Sequence, residues 1–148
     1  MQLDLRITGL EEVQRRLSDL SREIVSGAFP VALERASAVI ADEVRTRTPE
    51  GAEGLLKRSV RVQTEVDTTR QRGGAVIGFT SQAGDNGIPQ DHIAEWVEYG
   101  HRLVGHKPGK ADLGKVAMHP FMRPAFSVSA DKAIDAFGEA ITDYLDSK

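Results

Sequence analysis

The strongest constraint on the fold is an apolar stripe near the N-terminus. Its residues recur at steps of three, four, three and four: Leu10, Val13, Leu17, Leu20 and Ile24. The opposite face is charged, so the pattern predicts an amphipathic helix. Thr8 and Glu11 have the spacing of a capping box at its start. We predict that Gly27 ends this helix and that Pro30 lies in the first turn of a second helix, which ends before Pro49.

Alternation of apolar and polar residues predicts three strands. One covers Leu3, Leu5 and Ile7, and the second covers Val60, Val62, Thr64 and Val66. The third is the segment AVIGF, which ends near Phe79 and completes a β-hairpin with the second strand.

Two further helices are predicted in the C-terminal half. A short one begins at His92 behind a capping Asp91 and ends at Gly100. The last carries Ile134, Phe137, Ile141 and Leu145 at helical spacing. The chain is therefore predicted to be one α+β domain, residues 1–148. A small, mainly antiparallel sheet with a β-hairpin is packed by two N-terminal helices, one short helix and a C-terminal helix.

Composition excludes several function classes. The 148 residues include no cysteine, so disulfides, zinc–thiolate sites and cysteine nucleophiles are excluded. A net charge of −3 is too small to indicate nucleic-acid or membrane binding by itself. The N-terminus has charged residues among its apolar ones, unlike a signal peptide, and we find no apolar run long enough for a bilayer. These features favour a soluble protein of a reducing cytoplasm.

The segment HIAEWVEYGHRLVGH, residues 92–106, raises the question of a metal site. His92, Glu95 and His101 could serve a small metal-dependent hydrolase or nuclease, but their spacing matches no zinc motif. The simplest arrangement places Trp96 inward, with Glu95 and Glu98 outward or paired. Walker, GxGxxG and GxSxG motifs are also missing from the sequence. We therefore predict neither catalysis nor a metal or cofactor, and keep the metal enzyme as the alternative from another class.

Residues 101–115 form a basic stretch without an apparent period. It carries Arg102, Lys107, Lys110 and Lys115 against one acid, Asp112. Such residues could neutralise phosphates, or they could belong to a solvated loop that becomes ordered on a partner. We predict an irregular loop and leave both functions open.

Four segments, taken in order, resemble a known family. They are ITGLEEVQRRLSDL, TPEGAEGLLKRSV, IAEWVEYGH and HPFMRPAF. The chain resembles the tail-completion (head–tail joining, neck) proteins of long-tailed phages, which are regarded as tail components. The positions that carry the motifs are Pro49, Gly54, Leu55, Arg58, Ser59, Ala94, Trp96, Val97, Glu98, Tyr99, Gly100, Pro120, Phe121, Arg123, Pro124 and Ala125. Departures occur at Ala52, Glu53, Lys57 and His101.

The resemblance implies a structural virion protein that joins heads to tails and is not an enzyme. It implies a hexameric ring of copies, made in the bacterial cytoplasm and placed at the head–tail junction. Head-closure (stopper) and tail-terminator proteins would be its neighbours, and a tail-terminator or stopper ring protein is the alternative within virion assembly. We further hypothesise that Glu98 pairs with Arg123. Arg70, Arg72 and the basic stretch are predicted interface positions, with non-specific contact to passing DNA and none to a membrane.

Overall fold

A computed structural model describes residues 10–51, 54–85, 87–104 and 112–148. The helices are α1 (Leu10–Glu23), α2 (Phe29–Arg47), α3 (Leu55–Arg58), α4 (Gln90–Tyr99) and α5 (Met122–Asp146), with a π-helical turn at Ile24–Ala28. The strands are β1 (Val60–Asp67), β2 (Arg72–Phe79), β3 (His101–Val104) and β4 (Asp112–Val116). This confirms the predicted α+β class. The strand predicted at residues 3–7 and the cap at Thr8 lie outside the described residues.

The prediction that Gly27 ends the first helix is wrong. The chain stays helical from α1 through the π turn into α2, and the N–H of Phe29 donates to the carbonyl of Ile24. The widened turn precedes Pro30, which has no N–H for the helical ladder. A Cβ on Gly27 would lie 2.0 Å from the hydroxyl oxygen of Tyr144 on α5. Gly27 therefore allows α5 to pack closely against this turn, and it does not end the helix in which it lies.

A double-mutant cycle tests this function of Gly27. Glycine to alanine within a helix gains up to about 1 kcal/mol, and we expect Gly27→Ala to show that gain only in a Tyr144→Ala background. In the wild type the clash with the Tyr144 ring should cancel the gain, which gives a coupling energy of about 1 kcal/mol. Urea unfolding of the four proteins measures it. An equal effect of Gly27→Ala in both backgrounds would contradict the packing argument.

The core lies where α2 meets α5 on one side and the β1–β2 hairpin on the other. The buried residues of α5 are small and lie four or more positions apart: Ala125, Ser129, Ala133 and Ala140. Small side chains at this spacing let two helices approach closely. The main core cluster consists of Ala41, Val44, Leu56, Val60, Ala94, Phe121 and Ala125. It joins α2, α3, α4, β1 and the start of α5 into one packed unit.

Two antiparallel hairpins make up the strands. The predicted β1–β2 hairpin is confirmed, with pairing from Val60–Phe79 to Asp67–Arg72. The prediction of an irregular basic loop is wrong, because β3 and β4 pair from His101–Val116 onwards. A register shift in this hairpin and the positive φ of Gly114 obscure the alternation in the sequence. Lys107 and Lys110 lie outside the described residues.

The β3–β4 hairpin projects from the rest of the described chain. Every residue of β4 is exposed, and the two strands contact mainly each other. A two-stranded hairpin is marginally stable alone. Leu103 and Leu113 are exposed apolar side chains on it, so the hairpin offers a surface that the subunit itself leaves uncovered.

The helical stretch Gln14–Arg47 is long and apolar enough to cross a membrane by length and composition alone. The expectation that no apolar run is long enough for a bilayer does not hold by this measure. Length and composition are weak evidence of a membrane span, and α2, the second half of the stretch, buries Ala32, Ser37, Ala41 and Val44 within the fold.

Candidate functional site

Helix α4 turns a carboxylate into the protein interior. Its buried residues Gln90, Ala94 and Glu98 are four apart and share one face. The Glu98 side chain is 3% exposed. The predicted orientation of Trp96 is wrong: it lies away from this face, is 38% exposed and packs beside the ring of His101 at a centroid distance of 5.1 Å.

The start of α4 also differs from the prediction. The helix begins at Gln90, and its N-cap residue is Pro89. Asp91 therefore lies inside the first turn, where its carboxylate accepts a hydrogen bond of 2.6 Å from the Ser81 hydroxyl. This bond holds the loop after β2 against α4, and it lowers the pKa of Asp91, against a smaller effect of desolvation.

Glu98 caps the N-terminus of α5 from another helix. Its Oε2 accepts hydrogen bonds from the N–H of Phe121 at 2.6 Å and of Met122 at 2.9 Å. Its Oε1 accepts from the N–H of Arg123 at 3.3 Å and from the Arg123 side-chain Nε at 3.2 Å. The next residue, Pro124, has no N–H. One carboxylate therefore satisfies the backbone donors that a helix start leaves without partners, and its charge suits the positive end of the helix dipole.

The hypothesised Glu98–Arg123 pair forms within one subunit, but it is not a buried pair. The Arg123 side chain is 65% exposed, against 3% for Glu98. The guanidinium lies 5.3 Å from the centroid of the Tyr99 ring, in cation–π geometry. Solvent screens the arginine's contribution, so the main partner of Glu98 is the helix start.

Burial raises the pKa of Glu98, but the hydrogen bonds from Phe121, Met122 and Arg123 together outweigh it. The pKa therefore lies below its ordinary value, which is about 4.3. Because the folded-state pKa is depressed, charged Glu98 stabilises the fold fully above the unfolded-state pKa. This stabilisation is lost as the pH falls through the folded-state pKa.

The pH dependence of stability should show this contribution. We expect the difference in unfolding free energy between wild type and Glu98→Gln to be largest near pH 7. It should shrink as the pH falls below about 4.3, because the wild-type carboxyl then becomes neutral as well. Urea unfolding of both proteins from pH 7 to pH 3 measures the difference. A gap that stays constant over this range would contradict the assignment.

Gly100 forms the junction between α4 and the second hairpin. Its φ of 72° and ψ of 166° belong to a region that is essentially restricted to glycine. A Cβ there would lie 2.6 Å from the backbone oxygen of Val116. Nearby, the N–H of His119 donates to the carbonyl of Val97 at 2.8 Å. The two ends of the β3–β4 hairpin are therefore fixed beside each other at the end of α4.

Three of the segments noted in the sequence converge at this site. The segment TPEGAEGLLKRSV supplies α3, with Gly54 at its N-cap in the left-handed region and Leu56 in the core. The segments IAEWVEYGH and HPFMRPAF supply Ala94 and Phe121, respectively, to the same core cluster. The ring of Phe121 meets the ring of Phe79 edge to face at 5.8 Å. Ser59 is buried beside them, with its hydroxyl donating to the Leu56 carbonyl. Leu55 is half-buried, while Pro49, Arg58 and Pro120 are exposed.

The predicted interface positions do not gather at the Glu98 site. Arg70 and Arg72 are exposed at the tip of the first hairpin, each with a side-chain nitrogen 3.9 Å from the Asp67 carboxylate. Arg102 pairs with Asp112 across the second hairpin, and Lys115 is exposed on β4. Among the described residues, no group of three histidine or acidic side chains could hold a metal ion.

The geometry gives the site a structural role. All four hydrogen bonds to Glu98 come from the start of α5, and its lowered pKa keeps it ionised at neutral pH. A general acid or base needs a pKa near the working pH, so this carboxylate is poorly suited to proton transfer. The sequence gives one indirect sign of this cap: the residues that precede α5, His119, Pro120 and Phe121, include no serine, threonine, asparagine or aspartate that could cap the helix locally.

Comparison with known proteins supplies the family. No curated protein and no solved structure matches the chain. One family profile, described as "Bacteriophage HK97-gp10, putative tail-component", matches residues 11–100. The match runs from α1 through α4, and so includes Gly54, Glu98 and Gly100. The chain belongs to this HK97-gp10-like family of phage tail components.

Proposed function

We propose that the protein completes the phage tail at the head–tail junction, where copies of it form a ring, hexameric in the virion. Its family of tail components supports a structural role in the virion. The single observation that carries the finer assignment is the amount of apolar surface that the subunit leaves uncovered. Leu17, Leu113, Met118, Phe126 and Ile134 are each more than half exposed, as expected of a chain whose neighbours complete its packing.

The proposed neighbours are copies of the chain itself, the head-closure (stopper) protein and the tail-terminator protein. The two hairpins are suited to reach them, because the tip of the β1–β2 hairpin and every residue of β4 are exposed. The DNA that passes through such a ring would meet Arg70 and Arg72 without base-specific contacts. Asp67 lies beside both arginines, so this attraction should be weak and should decrease with salt.

Disruption of the gene in its phage tests the proposed function. Full heads and separate tails should accumulate, and purified protein added to the lysate should restore plaque formation. Antibody labelling of wild-type particles should place the protein between head and tail. Tails of abnormal length would instead indicate a tail terminator, and heads that lose their DNA would indicate a stopper; either result would overturn the assignment to tail completion.

A further inference from the structure

The centre of the apolar stripe of α1, at Leu17 and Leu20, is left largely uncovered by the described part of its own subunit. Helix α1 contacts mainly the π turn that follows it. Leu17 is 61% exposed and Leu20 is 44% exposed. The apolar residues of the stripe recur every three or four positions, which gives the narrow apolar strip with which one helix packs against another. The missing partner should therefore be helical.

The surface area of the chain indicates that it packs against neighbours. A folded protein of 16.1 kDa exposes about 7,400 Å², whereas this chain exposes 11088 Å². Full exposure of the residues outside the described ranges would add about 3,000 Å². The described part would still exceed its own expected area by about 1,400 Å². A specific interface uses about 800 Å² from each partner, so the excess is large enough for an interface.

A groove along α5 could receive a helix. Its first section, about 540 Å³, lies between β2, α4 and α5, and its second, about 260 Å³, lies between α2 and α5. The two sections share Phe126, and along α5 they extend from Met122 to Phe137. We call this surface the α5 groove. Phe126 and Ile134 are 59% and 68% exposed, with Ala130 between them, so large and small residues alternate along it.

The stripe and the groove match in length. At 1.5 Å per residue, the stripe from Leu10 to Ile24 is about 21 Å long, and the groove from Met122 to Phe137 follows about 22 Å of α5.

We propose that α1 of one copy docks its apolar stripe into the α5 groove of the next copy. The contact is head to tail, because each copy offers one stripe and one groove, and such contacts close into a ring when the rotation allows it. The proposal rests on the ring in the proposed function, and it adds the surfaces by which the ring is built.

Mixing two variants separates this contact from other modes of association. Leu17→Asp disables the stripe and Ile134→Asp disables the groove, and both replace exposed side chains, so both variants should fold. Each alone should associate at least 100-fold more weakly than wild type in analytical ultracentrifugation. Mixed together, they should form a heterodimer, since one intact stripe meets one intact groove. The matched control is Val128→Asp, an exposed apolar residue of α5 outside the groove, which should associate as wild type does.

Other outcomes would overturn the proposal. If two α1 helices paired with each other, the Ile134→Asp variant would still associate. Mixing it with Leu17→Asp would then give no stronger association than Ile134→Asp shows alone. If the stripe were covered within its own subunit, Leu17→Asp would lower the unfolding temperature and leave association unchanged.

Disulfide trapping tests the contact in assembled particles, where it does not depend on self-association of the isolated chain. The sequence contains no cysteine, so a Leu17→Cys, Ile134→Cys variant has only the two introduced thiols. Oxidation of particles that carry it should give a ladder of covalent multimers on a gel. A Leu17→Cys, Val128→Cys control should give none. Particles that contain the chain but give no ladder would refute the interface, whereas particles without the chain would refute the proposed function.

Discussion

Replacing Glu98 by glutamine is expected to lower the free energy of unfolding by about 3 kcal/mol. The carboxylate accepts hydrogen bonds from three backbone N–H groups and one guanidinium nitrogen while it is 3% exposed. Glutamine keeps the shape but turns one acceptor into an NH₂ group that faces donors. Hydrogen bonds to a buried charge contribute about 1.5–3 kcal/mol, and an unsatisfied buried donor costs about 1–3 kcal/mol. In a chain of this size the unfolding temperature should fall by about 6–12 °C.

Two control variants define the cause of this loss. Glu95→Gln changes an exposed glutamate of the same helix and should alter stability by less than about 0.5 kcal/mol. Arg123→Ala removes the exposed partner and leaves all three backbone bonds, so we expect a loss of about 1 kcal/mol or less. Urea unfolding at pH 7 compares the three. If Arg123→Ala cost as much as Glu98→Gln, the ion pair and not the helix cap would be the main interaction.

Replacing Gly100 by alanine is expected to cost about 3 kcal/mol as well, for a different reason. The backbone conformation at this residue is strained for any side chain, by about 1–3 kcal/mol. The added Cβ would also meet the backbone oxygen of Val116 at 2.6 Å and the backbone nitrogen of Met118 at 3.0 Å. Backbone atoms cannot rotate away as a side chain can, so the end of α4 and the base of the second hairpin would have to separate.

Gly138→Ala provides the matched control. Gly138 lies inside α5 with ordinary helical geometry and open space around its Cα, so alanine should stabilise the protein by up to about 1 kcal/mol. The two substitutions are chemically identical, and their effects should have opposite signs in thermal unfolding. Hydrogen exchange should then locate the damage in Gly100→Ala. The amides of His119, β3 and β4 should lose more protection than the fall in global unfolding free energy explains. The amides of α2 should lose no more than that fall explains. A uniform loss of protection would mean that the hairpin base is not the affected part.

The sequence predicted those parts of the fold in which residue pattern and local structure coincide. Alternation from Val60 to Val66 located the first hairpin, and Gly100 marked the end of α4. The Glu98–Arg123 pair could be proposed because these residues are the charged members of two otherwise apolar segments. Each of these features depends on nearby residues or on a family resemblance.

The errors have a common physical origin, which is tertiary contact. Gly27 looks like a helix end until Tyr144, more than a hundred residues away, is seen against it. Trp96 looks like a core residue because it is large and apolar, but the neighbouring helix start needs a carboxylate on the buried face of α4. The cap itself joins Glu98 to backbone groups 23–25 positions later, and a local capping pattern covers only the three or four residues around a helix start.

The bonds at the end of α4 also have a consequence for how these proteins can diverge. They hold together both ends of the segment from Gly100 to Pro120, so the domain is already closed beneath the second hairpin. A longer or shorter hairpin then changes only the entropy of a loop, and doubling its length costs only about 0.6 kcal/mol. The hairpin is therefore a replaceable module. Relatives could exchange it to match different neighbours while α2, α5 and the Glu98 cap stay the same, and a chimaera that carries another hairpin between these two residues should still fold.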